Sequence, residues 1–253
     1  MESALSKVRP HTSSSLAHQK APANLLVALE ATFKEQNAER TPAAYFAGLL
    51  TALESTVQKE REKEYVLGDG DILPAELYLL ALIGPFVPAP VIRSNLNTFL
   101  ALTTPLWPAL NTYAPPLRSQ LTVYNAILRA LDRPQLENQS VRQSFATILH
   151  LCVDSRPKVR KRAVDLVRDV LASPPSPLVR HPYSEKVGEW TLSALSDVNA
   201  AGSSKQKGKK QSDDIASAAI HLLAFVRPVL PYLPPEVNNI CFLKYIIPNC
   251  IYL

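Results

Sequence analysis

Glycine is scarce in this chain, with seven residues among 253. Tight turns and phosphate-cradling loops depend on glycine, because it alone enters the positive-φ region without a steric penalty. Its shortage argues against a nucleotide-binding loop and against a strand-rich fold. Cysteine is sparser still: Cys152, Cys241 and Cys250 form no paired framework, which fits a reducing compartment. The N-terminus has no apolar signal core, and no run of about 20 apolar residues capable of spanning a bilayer is expected. A soluble intracellular protein without a membrane partner follows as the expectation.

Catalytic patterns are missing as well. There is no Gly-x-Ser-x-Gly elbow and no His/Cys metal spacing. The five histidines, His11, His18, His150, His181 and His221, are scattered along the chain. His150 and Cys152 stand two apart on an expected helix, point in different directions and cannot chelate one ion together. Cys152 reads as a core residue. Gly68-Asp69-Gly70-Asp71 shares carboxylates with a calcium loop, but no ligand pattern continues after Asp71. The expectation is a protein without catalytic residues, metal, cofactor or small-molecule substrate.

Proline, in contrast, is plentiful at 22 residues. Apolar residues recur at helical spacing every 20 residues or so, and many prolines stand at helix starts or between helices. The fold class expected is all-α, an α-solenoid of stacked helical hairpins. The formal net charge of +5 is mild and compatible with an RNA-facing surface.

One stretch, Asp154 to Leu171, organises the rest. Pro157 fixes φ in the first helical turn and pushes Arg156 out of the α region. With Val159 as origin and about 100° per residue, Ala163, Leu166, Val167 and Val170 fall on one apolar stripe. Lys161, Asp165 and Arg168 fall opposite, with Arg160 and Arg162 flanking. An acidic residue, a proline turn, Val-Arg and then Ala and Leu at helical spacing is how the second helix of a HEAT-type repeat begins. Asp154, Pro157, Val159, Arg160 and Ala163 are therefore read as structural. Asp154 can accept orphan N–H groups at the helix start, and in HEAT-like repeats such an Asp and the Arg of Val-Arg bridge neighbouring repeats.

The remaining chain divides around it. Residues 1–20 are polar and serine-rich and read as a flexible terminus, or alternatively as a short helix docked on the first repeat. Residues 21–199 carry the helical repeats. The first helix spans Pro22 to about Glu39, with Leu25, Leu26, Leu29 and Phe33 on one face. A second, after Thr41-Pro42, turns Tyr45, Leu49, Leu53 and Val57 inward and frays into the charges of residues 59–64. Leu73 to Phe86 reads as a buried helix, and the next carries Val91, Leu96, Phe99 and Leu100. Trp107 is a packed residue or a platform for a base. Residues 200–212 contain Lys205, Lys207, Lys209 and Lys210 and read as a basic disordered loop. Residues 213–235 resume the helical pattern, and 236–253 form an atypical apolar end, as if a repeat array had been cut short.

Three segments carry a family resemblance: Lys7 to Leu16, Thr41 to Ala47, and Arg156 to Ala163 continuing through Ser173-Pro174-Pro175 to Arg180-His181-Pro182-Tyr183. The last is the most specific, because a generic repeat does not require the proline-rich connector or the His-Pro-Tyr. Over about residues 1–235 the chain resembles the N-terminal region of the ribosomal RNA-processing protein twelve family, large HEAT-repeat proteins of ribosome assembly. The resemblance implies a nucleolar and nuclear protein on pre-ribosomal particles and precursor rRNA, with ribosome-assembly or nuclear-transport proteins as partners. It implies no catalytic residue. On the residues themselves, Lys158, Lys161, Arg162 and Arg168, with the lysines of 200–212, can neutralise RNA phosphates without reading bases. The same helix can equally be a solvated face partly neutralised by Asp165 and Asp169. A nuclear-transport-type solenoid that binds protein without RNA is the other function expected from this pattern.

Overall fold

The computed structural model describes residues 1–60, 67–68, 70–203 and 209–240, and these contain helices and turns with no strand. The α-helices among the described residues are α1 (Glu2–Val8), α2 (Ala17–Glu35), α3 (Pro42–Glu60), α4 (Ile72–Ile83), α5 (Ala89–Ser94), α6 (Leu96–Thr103), α7 (Trp107–Leu110), α8 (Ala114–Ala130), α9 (Arg133–Leu136), α10 (Gln139–Leu151), α11 (Pro157–Leu171), α12 (Ser184–Ser203), α13 (Lys209–Val229) and α14 (Pro235–Ile240). Two compact units divide within α10, one ending at Ser144 and the other beginning at Phe145.

Proline starts many of these helices. Pro42, Pro157 and Pro235 are first residues, and Pro90, Pro108, Pro115 and Pro134 are second ones. At those places the missing N–H would have no intrahelical partner, so nothing is lost. Pro22 behaves differently. It sits buried inside α2, which starts five residues earlier than the sequence suggests and stops at Glu35. The single helix expected after Pro90 is divided at Asn95 (φ −99°, ψ 5°), whose Nδ2 donates to the Val91 carbonyl at 2.9 Å.

In the first unit α4 is apolar nearly all round because α2, α3 and α8 cover it. Leu73, Ala75, Leu77, Leu79, Leu80 and Ile83 are all buried, and each large side chain contributes roughly 2 kcal/mol by leaving water. Tyr45, Leu49, Leu53 and Val57 of α3 point inward. From α8, Tyr124 packs its ring 5.1 Å from those of Phe99 and Trp107. Trp107 is 7% exposed, which leaves no open face for a base.

Within residues 1–20, Glu2–Val8 form the short docked helix given as the alternative to a flexible terminus. Leu5 and Val8 of α1 are buried, and Arg9 reaches Glu30 on α2. Apolar burial joined to an ion pair 21 residues distant orders this segment, and neither contact shows as local periodicity.

In the second unit α13 packs on α11 and α12, and α14 on α12. Aromatic contacts link the layers: Phe145 with Tyr183 at 4.4 Å, and Trp190 with Phe225 at 5.3 Å. Cys152 is wholly buried, and burial raises its thiol pKa well above the usual value. Of the residues expected as a basic loop over 200–212, residues 200–203 and 209–212 are helical. Helix α12 runs to Ser203, extended by the strong helix formers Ala200 and Ala201, and α13 begins at Lys209. Residues 204–208 lie outside the described residues, as do 241–253 of the apolar C-terminal stretch, 61–66 with the last four residues of the charge run, and Asp69.

Ile215–Tyr232 corrects a second expectation. These 18 residues have a mean hydropathy of 1.4, long and apolar enough to cross a membrane by length and composition alone. Arg227 is their single charge. Leu222, Phe225, Val226 and Val229 are buried on one side while Ile220 is 65% exposed on the other. The segment therefore packs one apolar side against its own unit and leaves apolar side chains such as Ile220 and Leu223 open on the other.

Candidate nucleic-acid interface

Helix α11 is amphipathic. Val159, Ala163, Leu166, Val167 and Val170 are completely buried and Leu171 nearly so. Lys158, Lys161 and Arg162 are exposed, and their spacing of three and four residues puts them side by side. Among the described residues none of the three forms an ion pair. Arg168 differs: its guanidinium meets Asp165 at 3.1 Å and Asp169 at 2.7 Å. The bond to Asp169 raises its pKa, against the effect of partial burial. The basic surface of α11 is therefore its N-terminal half.

The turn before α11 is closed by three groups. Asp154 Oδ1 accepts from the Arg156 backbone N–H and from Arg156 Nε, both at 2.8 Å, and Oδ2 accepts from Nη2 at 2.7 Å. The Arg156 guanidinium holds the Asp154 carboxyl below the ordinary carboxylate range, opposed by partial burial and reinforced by the Arg156 N–H and by Arg160. Arg160 donates to the carbonyls of Asp154 and Ser155. The bridge to a neighbouring repeat expected of Asp154 and Arg160 is thus replaced by a local one, because Arg156 takes the carboxylate and leaves Arg160 to orphan carbonyls. Pro157 is the exposed first residue of the helix.

Lys205 and Lys207 lie outside the described residues. Lys209 and Lys210 form the first turn of α13. Among the described residues no group of three or more His, Cys, Asp or Glu side chains is placed to hold a metal.

Two buried polar centres, Glu30 and His181, were not read from the sequence as such. Glu30 is buried at 7% exposure, yet it accepts from Arg9 Nε at 2.9 Å, Arg9 Nη2 at 2.7 Å and Tyr45 Oη at 2.7 Å. Its position on the apolar side of α2 was the one available clue. His181 is 2% exposed. Its Nδ1 accepts the Tyr183 N–H at 3.1 Å, and burial pushes its pKa down to about 4.

Residues 8–246 match the family described as RRP12-like, N-terminal HEAT repeats. The chain belongs to this family. An RRP12-like chain is an all-α solenoid of helical hairpins by class, which agrees with the helices described above. It is similar to Ribosomal RNA-processing protein 12 of Saccharomyces cerevisiae, 26% identical over 91% of this chain and 20% of the relative. The RRP12-like protein of Gallus gallus is 26% identical over 90% of the chain and 16% of its own length. Putative ribosomal RNA-processing protein 12 of Schizosaccharomyces pombe is 25% identical over 79% and 16%. The chain thus spans a fifth or less of these curated relatives.

Proposed function

We propose that this RRP12-like chain is a non-catalytic HEAT-repeat scaffold of ribosome biogenesis. It binds pre-ribosomal particles through precursor rRNA and assists rRNA processing and the maturation and export of the subunits. Its proposed location is the nucleus and nucleolus, and its proposed protein partners are ribosome-assembly or nuclear-transport factors. The observation that carries the reading is the exposed trio Lys158, Lys161 and Arg162, which forms no ion pair with a described carboxylate, in a chain whose yeast relative is named for rRNA processing. Cations held on a rigid helix neutralise phosphates without reading sequence. Lys209 and Lys210 are proposed to add to the same field, with Lys205 and Lys207.

A protein-binding solenoid of nuclear-transport type, without direct RNA contact, is the second reading. The exposed Ile220 and Leu223 on α13 favour it. Sedimentation of the tagged protein from lysate, with and without RNase, separates the two. Co-migration with precursor rRNA that RNase abolishes supports the scaffold, whereas a complex that survives RNase supports the protein-binding solenoid.

A further inference from the structure

The charges of α11 are arranged against the helix that carries them. Residues 154–162 hold five cations against the single carboxylate of Asp154, a formal +4. Residues 163–171 hold Arg168 against Asp165 and Asp169, a formal −1. The first turn of α11 contains no acidic residue. A helix carries partial positive charge at its N-terminus and partial negative charge at its C-terminus, so acids belong at the start and bases at the end. Here the order is reversed. Lys158 lies within the first turn, where the dipole acts most strongly, and Lys161 and Arg162 stand three and four residues beyond it as like charges on one face, an arrangement that destabilises a helix.

Asp154 does little to relieve this. Its carboxylate is occupied by the Arg156 backbone and guanidinium, and Arg160 is turned to the carbonyls of Asp154 and Ser155. The two acids on the polar face both sit on Arg168 in the other half of the helix. No described carboxylate pairs with the trio.

We propose that a polyanionic partner is the missing counter-charge of α11: phosphates laid along Lys158, Lys161 and Arg162 relieve the repulsion and the unfavourable dipole, so that binding and the stability of the second unit are coupled. The inference rests on the RNA-binding reading for the identity of the anion, while the built-in destabilisation stands independently of it. Three exposed positions that lower the stability of their own helix are what a surface selected for binding leaves behind. A partner that binds only the folded state adds stability through mass action.

The test compares the wild-type chain with Lys158→Gln/Lys161→Gln and Lys158→Glu/Lys161→Glu, by thermal melting and by fluorescence anisotropy with a labelled 20-nucleotide RNA at low salt. Without RNA, the Glu pair is expected to melt highest, the Gln pair next and the wild type lowest, with steps of about 2–4 °C. With saturating RNA the order inverts: the wild type gains several degrees and the Glu pair none, with affinity reduced at least tenfold. A wild type that melts highest without RNA overturns the proposal, because the trio would then be stabilising. The expected order without RNA, combined with no binding of RNA to the wild type, keeps the built-in destabilisation and rejects the RNA reading instead. The substitutions are at exposed positions, and circular dichroism confirming unchanged helix content makes each outcome readable.

Discussion

Arg9 and Glu30 form a forked ion pair across 21 residues, Nε at 2.9 Å and Nη2 at 2.7 Å from one carboxylate oxygen, and it holds the N-terminal segment onto α2. Arg9 also pairs with Glu2, and Tyr45 donates to Glu30 from the next helix. Burial works to raise the Glu30 pKa, yet the bonds from Arg9 and Tyr45 bring it below the ordinary value. Burial and the Glu30 contact push the Tyr45 hydroxyl up to about 12.

Arg9→Ala leaves the buried Glu30 carboxylate with the Tyr45 hydroxyl and the half-exposed Arg40, whose Nη1 stands 3.5 Å from Oε2. The expected loss in urea unfolding is about 2–4 kcal/mol, accompanied by faster amide exchange over residues 2–13. Glu30→Gln, which keeps the Tyr45 hydrogen bond, is expected to lose less. Because the folded Glu30 pKa is lowered, this contribution is present above the unfolded carboxylate pKa and is lost as pH falls through the folded one.

His181 predicts a second pH dependence of the same sign at a higher pH. Its folded pKa of about 4 lies below the ordinary 6.5 because burial disfavours the imidazolium. The unfolded chain therefore binds the extra proton, and stability falls as pH drops from about 6.5 to about 4, by about 3 kcal/mol in all. His181→Asn retains an acceptor for the Tyr183 N–H without titrating. Melting curves between pH 7 and 4.5 should show a shallower slope for that variant.

Gly188 is required by the close approach of α12 and α14. A Cβ there would stand 2.8 Å from Val237 Cγ2 and 3.5 Å from Pro234 Cδ. Gly188→Ala raises helix propensity by about 1 kcal/mol, but overpacking costs about 1–3 kcal/mol. A net loss is expected, and Val237→Ala in the same chain should recover much of it. A double-mutant cycle showing simple additivity would refute the contact.

Arg168 should matter less to RNA than Lys161. Its two aspartate partners already neutralise it. Lys161→Ala is expected to lower the slope of log affinity against log salt by about 0.7–0.9, the share of one phosphate contact, and Arg168→Ala to leave it nearly unchanged. Equal effects of the two substitutions would show that the acids do not shield Arg168.

Much of this protein is written in local pattern. The 3.6-residue recurrence of Val159, Ala163, Leu166 and Val170 and the prolines at helix starts determine an all-α chain. They also place the apolar side of α11, because periodicity and φ restriction act within one or two turns. The exposed trio Lys158, Lys161 and Arg162 was legible for the same reason, since exposure follows from which face a residue occupies. Even the pairing of Arg168 had its partners in view, three positions before it and one after.

Only tertiary structure decided what depends on distant neighbours. The N-terminal segment is ordered by Arg9 meeting Glu30 and by Leu5 and Val8 finding a surface, contacts separated by many residues and marked by no local signal. The environment of His181 came from layers packed over it, which set its pKa by desolvation. Periodicity specifies which side of a helix is buried; the identity of what buries it, and hence the fate of each polar group there, belongs to the packing.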